Sequence, residues 1–273
     1  MGMQINTNVG ALNAYRNLSN TQNDLNKSLE KLSSGFRINR AGDDAAGLSI
    51  SEGLRAQVGG LKVAARNAQD GISVVQTAEG ALNEVHSILQ RMRDLSVQAG
   101  NTGGLNDDAL SAIKTEMDEL ALEVTRISDQ TKFNGKSLLD GTFDGDFQVG
   151  ANTGEAITVA IATDTDATGL GINALDVTAA GGSDTALTAI DAAIATVSGI
   201  RADLGAKQNR FEYAIKSINV TAENLAASES RIRDTDMAQE MSSFTRANIL
   251  SQAGTAMLAQ ANQLPQGVLQ LLG

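Results

Sequence analysis

The residues able to do chemistry are few, and their spacing does not build a catalytic centre. The 273-residue chain holds one histidine, His86, and no cysteine. That excludes thiolate catalysis, disulfides and zinc–thiolate sites, and it leaves imidazole acid–base work or zinc ligation with His86 alone. His86 falls between Leu82 and Leu89 in an apolar repeat, so it reads as a hydrogen-bonded histidine on a helix seam. Asp43 and Asp44 are adjacent carboxylates, a pair that serves as acid and base when the two pKa values are pushed apart. They lie beside Arg37 and Arg40 in a glycine-flanked stretch, where charge pairing or helix capping is expected instead. Asp140, Asp144 and Asp146 surround Gly141 and Gly145; this is not EF-hand spacing, and turn chemistry is expected. The sequence contains no GxxxxGK phosphate loop, no GxSxG elbow and no HExxH pair. No enzyme, metal or cofactor is expected.

Composition points to what must position such a chain. There is no Trp, and two Tyr and six Phe are the only aromatics, although 42% of residues are hydrophobic. Small aliphatic side chains suit helices that approach closely along a seam, whereas compact enzymes draw on large rings for buried area. The net charge of −11 removes the electrostatic footprint of a nucleic-acid or anionic-membrane binder. No run of about 18 apolar residues occurs, so no transmembrane helix is expected. Residues 1–18 lack the basic and apolar regions of a secretory signal, which reads as a cytosolic protein and leaves open export by a route without a cleaved signal.

Five stretches carry apolar or small residues at alternating spacings of three and four. They begin with Leu18, Leu25, Leu29 and Leu32, then run from Leu54 to Leu89, from Ile113 to Ile127 and from Leu187 to Leu225. The last comprises Leu250, Gly254, Met257, Ala261, Leu264, Val268 and Leu271. Such spacing lays one narrow stripe along a helix, as in a coiled-coil seam. The terminal stretches are poor in large apolar residues, so each needs a partner, either the opposite end of the chain or another copy. Between them, Phe147–Val149 and Ile157–Ile161 alternate like short strands around Gly150, Asn152 and Gly154, which predicts a β-hairpin. The expected fold is mainly α: long antiparallel helices from both chain ends in coiled-coil-like bundles, with a small β-hairpin in the middle.

Several segments resemble the bacterial flagellins. They are Ile5-Asn6-Thr7-Asn8, the run LSSGFRINRAGDDAAGLSIS from Leu32, QRMRDLSVQ from Gln90, TKFNGKSLLDG from Thr131, FQVGANTG from Phe147, SRIRDTDMA from Ser230, and residues 253–263. They occur in the family's order along nearly the whole chain. The resemblance implies a structural subunit that polymerises into the flagellar filament for swimming. It implies export through the type III apparatus to the cell exterior, with an export chaperone, the filament cap and hook-junction proteins as partners beside the protein itself. Residues 1–40 and 236–273 are expected to form an inner, discontinuous terminal-helix domain. Residues 41–235 are expected to form an outer helical domain with the hairpin around 141–180, and no variable outer domain.

The resemblance also assigns residues. Arg37, Asn39, Asp43 and Asp44 are expected to hold the connector between the layers, and Leu250, Met257, Leu264 and Leu271 to serve assembly. Arg91, Leu95 and Glu116 match the patch that the flagellin-sensing Toll-like receptor recognises in animal hosts, with Asp94 and Ser96 standing where Glu and Ala are usual. Two other readings compete. A hook–filament junction protein would more typically carry proline after the Asp pair, where this chain has Ala45. A secreted coiled-coil binding module would stay monomeric with ordered ends.

Overall fold

A computed structural model describes residues 7–272, with side chains described through Gln263. Its helices are α1 (Val9–Ser34), α2 (Ala45–Ala99), α3 (Asp107–Gln130), α4 (Gly182–Arg233) and α5 (Met237–Leu272). Between α3 and α4 come four strands: β1 (Lys132–Phe133), β2 (Lys136–Ser137), β3 (Phe143–Gln148) and β4 (Ala156–Ile161). The mainly α class with a small central β element is as the periodicity predicts. The chain divides into two compact units, one of residues 1–56 with 224–273 and the other of residues 57–223.

In the first unit, α1 and α5 form an antiparallel pair. Asn8 starts α1: its side chain accepts from the Ala11 N–H and so satisfies one of the free donors at a helix start. Gly35 ends α1 at φ 76°, a left-handed cap that only glycine adopts without strain.

The second unit holds the main core. Residues Val75, Ala78, Leu82, Val85, Leu89 and Met92 of α2 are buried together with Ile113, Met117 and Val124 of α3 and Ile190, Val197, Leu204 and Phe211 of α4. Asn106 caps α3, and Asp107 and Asp108 in its first turn complement the helix dipole. Antiparallel β3 and β4 pair from Phe143↔Ile161 to Gln148↔Ala156. In β4, Ile157, Val159 and Ile161 face the core while their neighbours face out, the period of two expected of a half-buried strand.

The hairpin sits where the sequence puts it, but β3 begins four residues before Phe147. Asp144 and Asp146 are therefore strand residues, and of the acidic cluster only Asp140 does turn work, accepting from the Thr142 N–H and hydroxyl. The small β1–β2 pair was not foreseen from alternation. Its signal is Asn134-Gly135, both at positive φ (49° and 81°), the two-residue turn that matches strand twist.

Candidate functional site

The terminal helices meet along a seam that mixes small residues with leucines. On α1 the seam is Ala11, Ala14, Leu18, Thr21, Leu25, Ser28 and Leu32; on α5 it is Phe244, Ala247, Ser251, Gly254, Leu258 and Ala261. A Cβ on Gly254 would stand 3.1 Å from Leu18 Cδ1, so the leucine packs directly on helix backbone. The Asn8 amide donates to the Ala261 carbonyl at 2.7 Å, and Lys31 pairs loosely with Glu240 at 3.9 Å. Only Ser28 and Ala247 are buried on the described parts of the two helices, the other seam residues being half-buried, so the pair excludes little apolar surface from water.

Their outer faces explain that shortfall. Val9, Leu12, Tyr15 and Leu29 on α1 and Met241, Ile249, Leu250 and Met257 on α5 are each about half exposed or more. Leu12 and Tyr15 line one shallow depression with Leu258, and Met241, Ile249 and Leu250 line another. Leu29, Leu250 and Met257 are therefore not seam residues. The seam keeps Leu18, Leu25 and Leu32 of α1 and Gly254 and Ala261 of α5, as the spacing predicts, but passes beside Leu29, Leu250 and Met257 through Ser28, Ala247, Ser251 and Leu258. Leu264 and Leu271 lie outside the described side chains, and Ile5 and Asn6 outside the described residues.

The connector after α1 is tied to the end of α4. The Arg37 N–H donates to the Arg233 carbonyl and its guanidinium to the Ile232 carbonyl, both at 2.6 Å, while the Thr235 N–H donates to Gly35 at 3.0 Å. The Arg233 guanidinium lies over the Phe36 ring at 4.8 Å and pairs with Glu52 at 2.6 Å. Asn39 donates to the Phe36 carbonyl. Asp43 accepts from the Arg40 and Asn39 N–H groups, and these bonds, Arg40 first, hold its carboxyl below 3.8. Asp44 caps α2 through the Gly47 N–H at 2.8 Å. Glycine at 47 leaves room for the cap, since a Cβ would meet Asp44 Oδ2 at 2.5 Å and Ile38 Cδ1 at 2.8 Å and would displace the capping carboxylate or the buried isoleucine. The Asp pair is thus a turn brace and a cap. The roles of Phe36 and Arg233 were not legible, since they join positions nearly two hundred residues apart.

In the second unit, Arg91 pairs with Glu116 through two nitrogens at 2.7 and 2.9 Å on the surface. Leu95 does not join them there: it is 2% exposed and packs in the core, one helical turn beyond Arg91 but rotated inward. Ser96 is buried too, its hydroxyl donating to the Met92 carbonyl at 2.9 Å. His86 is half-buried beside seam residue Val85, 3.0 Å from the Gln90 amide.

Residues 5–144 match the bacterial flagellin N-terminal helical region, and residues 187–272 match the C-terminal helical region. The chain belongs to the bacterial flagellins. It is 55% identical to a flagellin of Halalkalibacterium halodurans over 99% of this chain and 100% of the relative. A crystal structure of Bacillus cereus flagellin is similar at TM-score 0.51 and 30% identity, covering 60% of this chain and 94% of that one. A putative flagellar hook-associated protein from Vibrio parahaemolyticus reaches TM-score 0.60 at 17% identity, over 70% of this chain and 100% of that one. The last likeness is of fold alone, so architecture does not separate filament subunit from junction protein. Whole-length identity to a flagellin does, and the protein is a structural subunit of the flagellar filament that serves motility.

Proposed function

We propose that copies of this flagellin dock through the outer apolar faces of α1 and α5, and that growth repeats this contact in a non-closing helical array. The single observation behind this reading is that Leu12 and Tyr15 of α1 and Ile249, Leu250 and Met257 of α5 are left more than half exposed outside the seam. A helix pair so poor in internal burial gains stability when a neighbour covers that face. Residues 1–40 and 236–273 then form the inner layer and residues 41–235 the outer one. The connector held by Arg37, Asn39, Asp43 and Asp44 transmits position between them.

The work is structural rather than catalytic, in keeping with the family and with a sequence that assembles no nucleophile–base set. Export to the cell exterior without a cleaved signal, with a chaperone, cap and hook-junction proteins as partners, follows the family. Recognition by the flagellin-sensing Toll-like receptor would rest on Arg91 and Glu116, with Leu95 supporting them from beneath.

The test is electron microscopy of purified protein after adding short filament seeds, beside a chain lacking residues 240–273 and the full-length Ile249→Glu variant. Filaments from the parent and none from the other two support docking through the terminal helices. Normal growth of Ile249→Glu, which places a charge on the proposed face, refutes the role of that face.

A further inference from the structure

Methionine is distributed unevenly in the described part of this chain. Met92 and Met117 are 0% and 1% exposed in the core of the second unit. Met237, Met241 and Met257, all on α5, are 48%, 49% and 65% exposed. Met241 shares a surface depression with Ile249 and Leu250, and Met257 lies on the same helix among the outward apolar residues. We propose that Met241 and Met257 are two separate oxidation-sensitive positions on α5, on different sides of the helix and open to peroxide before assembly, whose sulfoxide forms block addition of the subunit to a filament. The inference rests on the docking role given above to the outer face of α5.

The chemistry is a two-electron oxidation. The thioether sulfur attacks one peroxide oxygen, the O–O bond breaks, the sulfur gains the S=O bond and water leaves. The product replaces a flexible apolar side chain with a polar, chiral one. On a free helix face water solvates the new oxygen at little cost. In a docked interface that oxygen loses its water and must fit a face shaped for a thioether, with Ser242, Thr245 and Arg246 the only donors lining the depression beside Met241, and the penalty falls on the assembled state alone. The core methionines escape because their sulfurs are out of reach of solvent, and docking would shield Met241 and Met257 in the same way.

The experiment treats full-length monomer, and separately seeded filaments, with limiting hydrogen peroxide and locates sulfoxides by peptide mass spectrometry. In the monomer Met241 and Met257 oxidise while Met92 and Met117 do not, and in filaments Met241 and Met257 are spared. Oxidised monomer shows a critical concentration for seeded growth raised about tenfold, methionine sulfoxide reductase with a dithiol restores growth, and M241L/M257L protein keeps growing after the same peroxide dose. Oxidised parent that elongates like untreated protein overturns the proposal, as does M241L/M257L that loses growth as fully as the parent. If the double variant fails to grow even untreated, reductase rescue of the oxidised parent decides the matter, and failure of rescue overturns it. Ile249→Glu separates the two levels: blocked growth there with no effect of peroxide sinks the oxidation sites alone, whereas normal growth sinks the docking face itself.

Discussion

Gly71 of α2 is the position where adding one methyl group should cost most for its size. A Cβ there would stand 2.6 Å from Phe211 Cζ and 2.8 Å from Cε1. The ring cannot swing away freely, because Phe211 is fully buried and meets Phe147 of β3 edge-on, centroids 5.6 Å apart. Overpacking a tight core costs about 1–3 kcal/mol, and two contacts far inside van der Waals range with a braced ring place Gly71→Ala at the upper end. Removing glycine from a helix interior returns roughly 1 kcal/mol, so the net loss is about 2 kcal/mol. For a unit of this size that is a fall of about 4–8 °C in melting temperature. Thermal unfolding of the monomer followed by circular dichroism reads it directly. Phe211→Leu in the same background relieves the clash, so the double variant should lose about 1 kcal/mol less than the sum of the singles. Gly71→Ala protein melting at or above the parent temperature would refute the claim that the α2–α4–β3 junction is built around that missing side chain.

Arg37→Ala should loosen the connector by about 1 kcal/mol, the worth of the side-chain bond to the Ile232 carbonyl at an exposed site, while the backbone bond to Arg233 survives; faster amide exchange at Arg233 and Thr235 would register it. Asp43 has its folded pKa lowered, so its contribution is present above the unfolded value near 3.8 and is lost as pH falls through the lower folded value. Amide exchange at Asn39 and Arg40 should accelerate in that acid window, and Asp43→Asn should remove this dependence on pH. Arg91→Ala should leave the melting temperature within about 4 °C of the parent, since an exposed ion pair contributes about 0–1 kcal/mol, whereas Leu95→Ala should lower stability by about 2–5 kcal/mol through the cavity it leaves.

The mainly α class, the existence of five helices and the place of the hairpin are properties of the sequence by itself. Spacing of three and four across Leu82 and Leu89, or of two across Ile157, Val159 and Ile161, is a local pattern that each element must obey whatever it packs against. The expectation of a structural rather than catalytic role is compositional in the same way, since one histidine and no cysteine leave little to arrange. The resemblance to flagellins also needed no coordinates.

Which side of a helix faces its partner was decided only by tertiary structure. Leu250 and Met257 keep the same spacing of seven residues as Ala247 and Gly254. The leucine pattern is right on α1 at Leu18, Leu25 and Leu32, but on α5, where Ala247, Ser251 and Gly254 let the backbones come close, spacing alone picks Leu250 and Met257 as readily as those smaller neighbours. Leu95 differs from Arg91 by a single helical turn, and only the position of the surrounding core residues turns one inward and leaves the other in water. Phe36 and Arg233 could not be joined from sequence, because nothing local to either residue encodes a partner so far along the chain. Long-range contacts depend on where folding brings the chain ends, and that is a property of the packed whole rather than of any window within it.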